Sequence, residues 1–193
     1  MNRAEQLETV RREFFEATGR YVWQENLGAG GMGAVFRALD TELGEPVAIK
    51  VLLRRQGSGD DESLARFKRE ISLSRSIRHP NVARVHDLGI AGGHFFLTME
   101  YVSGFTLADT LESAGLISPA ETVGYLRQVA LGVGAAQELG IVHRDLKPQN
   151  VMIDAQGAVA ILDFGLAYRG SLAPIKGIET CIGTPRYMAP EQA

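Results

Sequence analysis

The chain has 193 residues, 45% hydrophobic and 22% charged, which is enough apolar content to bury a core in one domain or two small lobes. Its formal net charge is −3 and it holds no long basic block, so nothing in its charge suggests a nucleic-acid surface or a polybasic membrane contact. A lone cysteine, Cys181, excludes an internal disulfide and offers no zinc grouping; with no signal-peptide core and no run of transmembrane length, a cytoplasmic protein without a membrane segment is expected.

From Arg3 to Thr18 the apolar positions Leu7, Val10, Phe14 and Ala17 recur at helical spacing among many charges, which predicts an amphipathic helix flanking the domain that follows. Tyr21 to Asp40 then reads as two strands joined by Gly28-Ala29-Gly30-Gly31-Met32-Gly33. Such a hairpin lets backbone N–H groups approach phosphate oxygens, although a glycine-rich turn is more often only a turn. A dinucleotide site would need a helix directly after the glycines, and Ala34 to Leu39 reads as strand instead.

The strand Val47 to Leu53 carries Lys50 among six apolar neighbours, and a lysine so placed calls for a partner. Leu64, Phe67, Ile71 and Ile77 mark a helix bearing Glu70. His79-Pro80-Asn81 signals a turn, Val82 to Ile90 and Phe95 to Tyr101 read as strands, and Val102-Ser103-Gly104 is a polar link. A short helix over Thr106 to Ser113 follows. Ser118-Pro119-Ala120-Glu121 then opens a longer helix, running to about Leu139 with an apolar face of Leu126, Val129, Val133 and Ala136, and Gly140 ends it.

His143-Arg144-Asp145-Leu146-Lys147-Pro148-Gln149-Asn150, followed by Asp163-Phe164-Gly165, gathers two carboxylates, a lysine and an amide. Those groups can hold a hydroxyl, a nucleotide phosphate and Mg²⁺ together. Taken singly, Asp145 could be a turn aspartate, His143 a satisfied core histidine and Asp163 a loop cap.

HRDLKPQN and DFG, with GAGGMG and VAIK before them and APE after, resemble the signature set of Hanks-type, eukaryotic-like protein kinases, in that family's order from about Tyr21 to Ala193. The Arg20-Tyr21 opening and the GAGGMG loop are most similar to bacterial members. The resemblance implies an α+β, two-lobe protein-kinase-like fold: an antiparallel sheet plus helix in the small lobe and a mostly helical large lobe. The expected divisions are residues 1–20 as flanking helix, 21–102 as small lobe and 103–193 as part of the large lobe, incomplete because the family continues with further helices beyond APE.

It also implies the cofactors ATP and Mg²⁺ and a role for each site residue. Asp145 would accept or orient the proton of the acceptor hydroxyl, and Lys147 would sit near the γ-phosphate. Asn150 and Asp163 would be the metal ligands, and Lys50, paired with Glu70, would face the α- and β-phosphates. Leu27, Gly28, Gly30, Gly33, Val35 and Ala48 would line the nucleotide, with Met99 in the gatekeeper place, Glu100 and Val102 at the hinge and Met152 as floor. Ser74 departs from the family, which usually has an apolar residue there, so loose coupling of its helix to Phe164 is expected. His143 is expected to pack against Phe164 rather than to exchange protons.

Lys147 and Thr184 look like serine/threonine specificity, so the expected partners are protein substrates with Ser/Thr acceptors, with room for self-association in autophosphorylation and no nucleic acid. Thr180, Ser171 and Thr184 compete as activation-segment phosphosites, and a phosphate on Thr180 could pair with Arg144. Two alternatives to an active protein kinase stand: a catalytically impaired nucleotide-binding or interaction module, and a small-molecule kinase, against which DLKPQN with APE argues.

Overall fold

The alternating apolar residues of the first hundred positions form an antiparallel sheet with the strand order β1-β2-β3-β5-β4. Its strands are β1 (Tyr21–Gly30), β2 (Gly33–Asp40), β3 (Glu45–Leu52), β4 (Val85–Ala91) and β5 (His94–Glu100). The computed structural model describes residues 3–30, 33–52, 69, 71–164 and 185–188. Its contacts divide the chain into two units, Met1–Gly57 with Val85–Tyr101 and Ser58–Arg84 with Val102–Ala193.

In the first unit the sheet has one sealed face. Ala34, Phe36 and Ala38 alternate on β2, and Val47, Ile49 and Val51 on β3, all buried. Helix α1 (Arg3–Thr18) lies over them with Val10 and Phe14. The Phe14 ring meets Phe96 edge-on at 4.9 Å, and Phe15 meets Phe36 at 5.5 Å. Burying a side chain such as Phe14 contributes about 1.5–3 kcal/mol, so the helix is part of this unit's core and not an appendage to it. At Gly92, where φ is +55°, an added Cβ would lie 2.5 Å from the Glu13 carbonyl oxygen, so only glycine lets the β4–β5 turn come this close to α1. Asp40 accepts two bonds from Arg20, at 2.9 and 2.6 Å, which joins the start of β1 to the end of β2 and holds the carboxyl below the usual carboxylate range.

The second unit is built on a three-stranded sheet of β6 (Phe105–Thr106), β7 (Val151–Ile153) and β8 (Val159–Ile161). Helix α2 (Leu107–Ala114) starts at a capping box of Thr106 and Asp109, and α3 (Pro119–Glu138) at one of Ser118 and Glu121. Ile77, Val82, Ala136, Ile141, Ile161 and Phe164 form its principal core. At Gly132 an added Cβ would lie 2.9 Å from the Asn81 carbonyl, so α3 presses directly on the 79–83 turn.

Several expected boundaries shift. The strand expected from Val82 begins at Val85, because Val82 and its neighbours pair instead with β8: the Ala83 N–H donates to the Ile161 carbonyl and the Ile161 N–H to the Asn81 carbonyl, both at 2.9 Å. Leu126 is 57% exposed, so the inward face of α3 consists of Val129, Val133 and Ala136. Of the helix expected over 64–77, residues 71–74 are helical and a turn follows at 75–76; Glu70 lies outside the described residues. No helix among the described residues is long and apolar enough to cross a membrane.

Candidate active site

In the first unit, strand register collects Gly28, Val35, Ala48, Lys50 and Met99 on one face. Directly opposed residues of an antiparallel pair point the same way. Gly28 pairs with Val35, Val35 with Lys50 and Lys50 with Leu97, forming one row; Arg37, Ala48 and Met99 form the next. Both rows alternate with the residues that face α1, so they occupy the sheet's other side. Lys50 is half-buried there and Ala48 and Met99 are buried; Glu100 instead pairs with Val47 of the α1-facing row, Leu27 falls at a register shift of β1, and both are exposed.

The glycines of the hairpin have different physical reasons. An added Cβ at Gly28 meets nothing within 4 Å, so protein packing does not require glycine there and the space beside it is open to a ligand. At Gly33 the same atom would stand 2.1 Å from the Val51 carbonyl oxygen, so that glycine is demanded by β3 itself. Gly30 pairs with Gly33 across the turn.

In the second unit a closed network of hydrogen bonds holds the loop that carries Asp145, Lys147 and Asn150. Lys147 Nζ donates to Asp145 Oδ2 at 2.7 Å, and Asn150 Nδ2 donates to the Asp145 carbonyl at 2.8 Å. The one-turn 3₁₀ segment Pro148–Asn150 closes on the Lys147 carbonyl. From there the Leu162 N–H donates to the Asn150 carbonyl at 2.8 Å, joining the loop to the residue before Asp163. His143 completes the circuit: its Nε2 donates to the Leu162 carbonyl at 2.8 Å while its Nδ1 accepts the Asp145 N–H at 3.3 Å.

That pair of bonds needs a neutral imidazole with its proton on Nε2. Burial pushes the His143 pKa below its ordinary 6.5, against the opposing pull of the Leu162 carbonyl and of Asp163 and Asp145. Its ring also meets Phe164 at 4.7 Å, as expected for a packing residue. Arg144 and Asp163 take φ values of +68° and +60°, a left-handed conformation that costs a non-glycine residue about 1–2 kcal/mol and persists only when its surroundings impose it.

Ser74 corrects the expectation of loose coupling. Its buried hydroxyl donates to the Phe164 carbonyl at 2.8 Å, a polar link where loose coupling was expected. Val102 and Met152 are both half-buried in this unit, and Met152 sits on β7 opposite Thr106 and Ala160. Ser171, Thr180 and Thr184 lie outside the described residues.

Sequence reasoning missed two supports. Asn81 Nδ2 donates to the Val159 carbonyl at 2.7 Å and to Gln128 Oε1 at 3.1 Å. Gln128 in turn accepts the Val159 N–H and donates to the Gly157 carbonyl. Together they pin the β7–β8 hairpin that connects Asn150 to Asp163. An Asn after His-Pro signals only a turn, so its buried amide had no sequence signature.

A glycine-rich hairpin on an antiparallel sheet, a lysine on its third strand and a carboxylate–lysine–amide loop are the parts of a kinase-like domain. The chain belongs to the protein kinase domain family, which it matches over residues 21–193. It is 39% identical over 175 residues to the probable serine/threonine-protein kinase pknA2 of Bifidobacterium longum, covering 90% of this chain and 23% of that protein. The serine/threonine-protein kinase PrkC of Bacillus subtilis is 37% identical over 91% of this chain and 27% of its own length. PknA of Mycobacterium tuberculosis is 39% identical over 91% and 42%. The chain thus spans less than half the length of each of these relatives. Among solved structures, the M. tuberculosis PknI kinase domain superposes with a TM-score of 0.66 at 29% identity, over 76% of this chain and 58% of that one.

Proposed function

We propose that the chain carries the catalytic machinery of an ATP-dependent serine/threonine protein kinase, moving the γ-phosphate of Mg-ATP to protein hydroxyls. The observation that supports this best is the network joining Asp145, Lys147, Asn150 and Leu162, because it ties the proposed base to both proposed metal ligands through hydrogen bonds of 2.7–2.9 Å and a single peptide link to Asp163.

The donor set fits Mg²⁺. Among the described residues no cluster of three or more His, Cys, Asp or Glu is assembled, whereas this ion ordinarily takes one or two protein oxygens and completes its shell with phosphate and water. Asp163 supplies one oxygen; Asn150, whose amide nitrogen is committed to the Asp145 carbonyl, has its amide oxygen to supply the other. When bound, Mg²⁺ would neutralise phosphate charge as it develops. Asp145 would accept the acceptor hydroxyl's proton as that oxygen bonds to the γ-phosphorus and the bond from phosphorus to the β–γ bridging oxygen breaks to release ADP, and Lys147, held on Asp145, would offset charge on the transferred group. Lys50 orients the α- and β-phosphates and Gly28 admits them to the backbone of the hairpin.

By the same reading residues 21–102 form the nucleotide lobe and 103–193 belong to the catalytic lobe. The acceptors are Ser/Thr hydroxyls of proteins, a second copy of the chain included, and the domain works in the cytoplasm, where ATP is supplied and the lone Cys181 stays reduced.

The test is transfer of labelled γ-phosphate from Mg-ATP to a generic protein substrate by three proteins. The unmodified chain should transfer, and Asp145→Asn should lose about 10²–10⁴-fold in kcat while Mg-ATP still raises its Tm. Asp163→Ala should lose both transfer and the Mg²⁺-dependent part of that rise. Undiminished transfer by either variant would sink the assignment.

A further inference from the structure

Two anchored carbonyls bracket Asp163 and Phe164. On the entering side the Leu162 carbonyl accepts His143 Nε2–H at 2.8 Å; on the leaving side the Phe164 carbonyl accepts the Ser74 hydroxyl, also at 2.8 Å. Asp163, between them, holds φ +60°, a conformation it would leave for an ordinary extended or right-handed one if the Leu162–Asp163 peptide on one side or residue Phe164 on the other could turn. Rotation about its own backbone would re-aim its carboxylate. The entering peptide is doubly fixed, because Leu162 also donates its N–H to Asn150. The ring of Phe164 is fixed by His143 at 4.7 Å, but a ring contact does not set the plane of the peptide that follows.

Ser74 is itself held in place. Its own carbonyl accepts the Ile77 N–H at 3.2 Å, and Ile71 and Ile77 on either side are 1% and 2% exposed. The hydroxyl is therefore presented from a rigid element to a carbonyl ninety residues away, with Ser74 only 3% exposed. An apolar side chain could fill that space without offering a donor.

We propose that Ser74 is a positioning residue for the metal-binding aspartate: by holding the Phe164 carbonyl it keeps Asp163 in its left-handed conformation with the carboxylate turned toward a bound cation. The proposal rests on the kinase reading above, in which Asp163 is a metal ligand.

The decisive comparison is Ser74→Thr with Ser74→Val, two side chains of the same shape of which only the first keeps the hydroxyl; Ser74→Ala serves as the smaller control. Two quantities are measured on the full chain: amide exchange at Asp163 and Phe164 without nucleotide, and affinity for a fluorescent ADP with Mg²⁺ and with EDTA. Loss of one buried hydrogen bond should weaken the Mg²⁺-dependent gain in affinity about three- to tenfold in Ala and Val. Metal-free affinity should be unchanged, exchange at the two amides should quicken, and Thr should restore both. If Val and Thr have equal Mg²⁺-dependent gains and equal exchange, the hydroxyl only packs and the proposal is overturned, whatever happens to Tm. If exchange separates Val from Thr while the unmodified chain shows no Mg²⁺-dependent gain, the anchor survives but Asp163 is no metal ligand, and both the site reading and Ser74's part in it fall.

Discussion

In the sheet unit the row Gly28, Val35, Lys50 and Leu97 is placed by strand register, and the opposite face is sealed by Val10 and Phe14 of α1 against Phe36 and Ile49. In the second unit Asp145, Asn150 and Asp163 sit on irregular backbone, and what places them is a chain of bonds from side chains to carbonyls: His143 to Leu162, Ser74 to Phe164, Asn150 to Asp145 and Asn81 to Val159. The first arrangement is redundant, since many apolar contacts share the work and each strand is corrected by its neighbours. The second has few members, and each one fixes a single peptide plane. Apolar packing should therefore dominate the energetics of the first unit, while single polar atoms should dominate the geometry of the second.

The largest effect that could break this contrast is expected at Phe14. Phe14→Ala removes a fully buried ring from a well-packed site and should cost the sheet unit about 3–5 kcal/mol, read by chemical denaturation with Trp23 as the reporter. A loss below about 1 kcal/mol would mean that α1 merely rests on the sheet.

Next comes Asn81, where an exposed-looking turn residue should behave as a core residue. Asn81→Ala leaves the Val159 carbonyl without its 2.7 Å donor and should cost about 1–3 kcal/mol. Asn81→Asp, of the same shape, should be at least as harmful because it sets a carboxylate oxygen against that carbonyl. If Asp is tolerated while Ala is not, volume rather than hydrogen bonding holds the hairpin.

The smallest effect is a pH dependence from His143. Its folded pKa lies below the ordinary 6.5, so as pH falls through 6.5 the unfolded chain takes up the proton first. The stabilisation is complete above that pH and declines below it, down to the folded value. Protonation would also turn Nδ1 into a donor facing the Asp145 N–H. Tm should fall between pH 7.5 and 5.5 more steeply in the unmodified chain than in His143→Asn; parallel slopes would show that His143 is not the group responsible.

Much of the architecture was legible because it follows from short-range periodicity. The stripe Leu7, Val10, Phe14 and Ala17 marked α1 at its observed ends, and the capping box at Ser118 and Glu121 marked the start of α3. The motif residues Lys50, Asp145, Lys147, Asn150 and Asp163 stood out as a set because their types and order resemble the family's signature motifs. Strand β6 was not legible, being two residues long, and neither was the true start of β4, because the pairing of Val82 with Ile161 spans residues far apart in sequence.

By itself, then, the sequence determined which residues are candidates for the chemistry and which local elements bear them, because helix stripes, strand alternation, caps and turns are written in neighbouring positions. Only the tertiary structure decided what holds those residues in working geometry. Whether Gly28 or Gly33 is glycine for a ligand or for its own fold depends on what lies across space from its missing Cβ. Whether Ser74 loosens or fastens the segment at Phe164 depends on the position of one carbonyl oxygen, which no local pattern encodes.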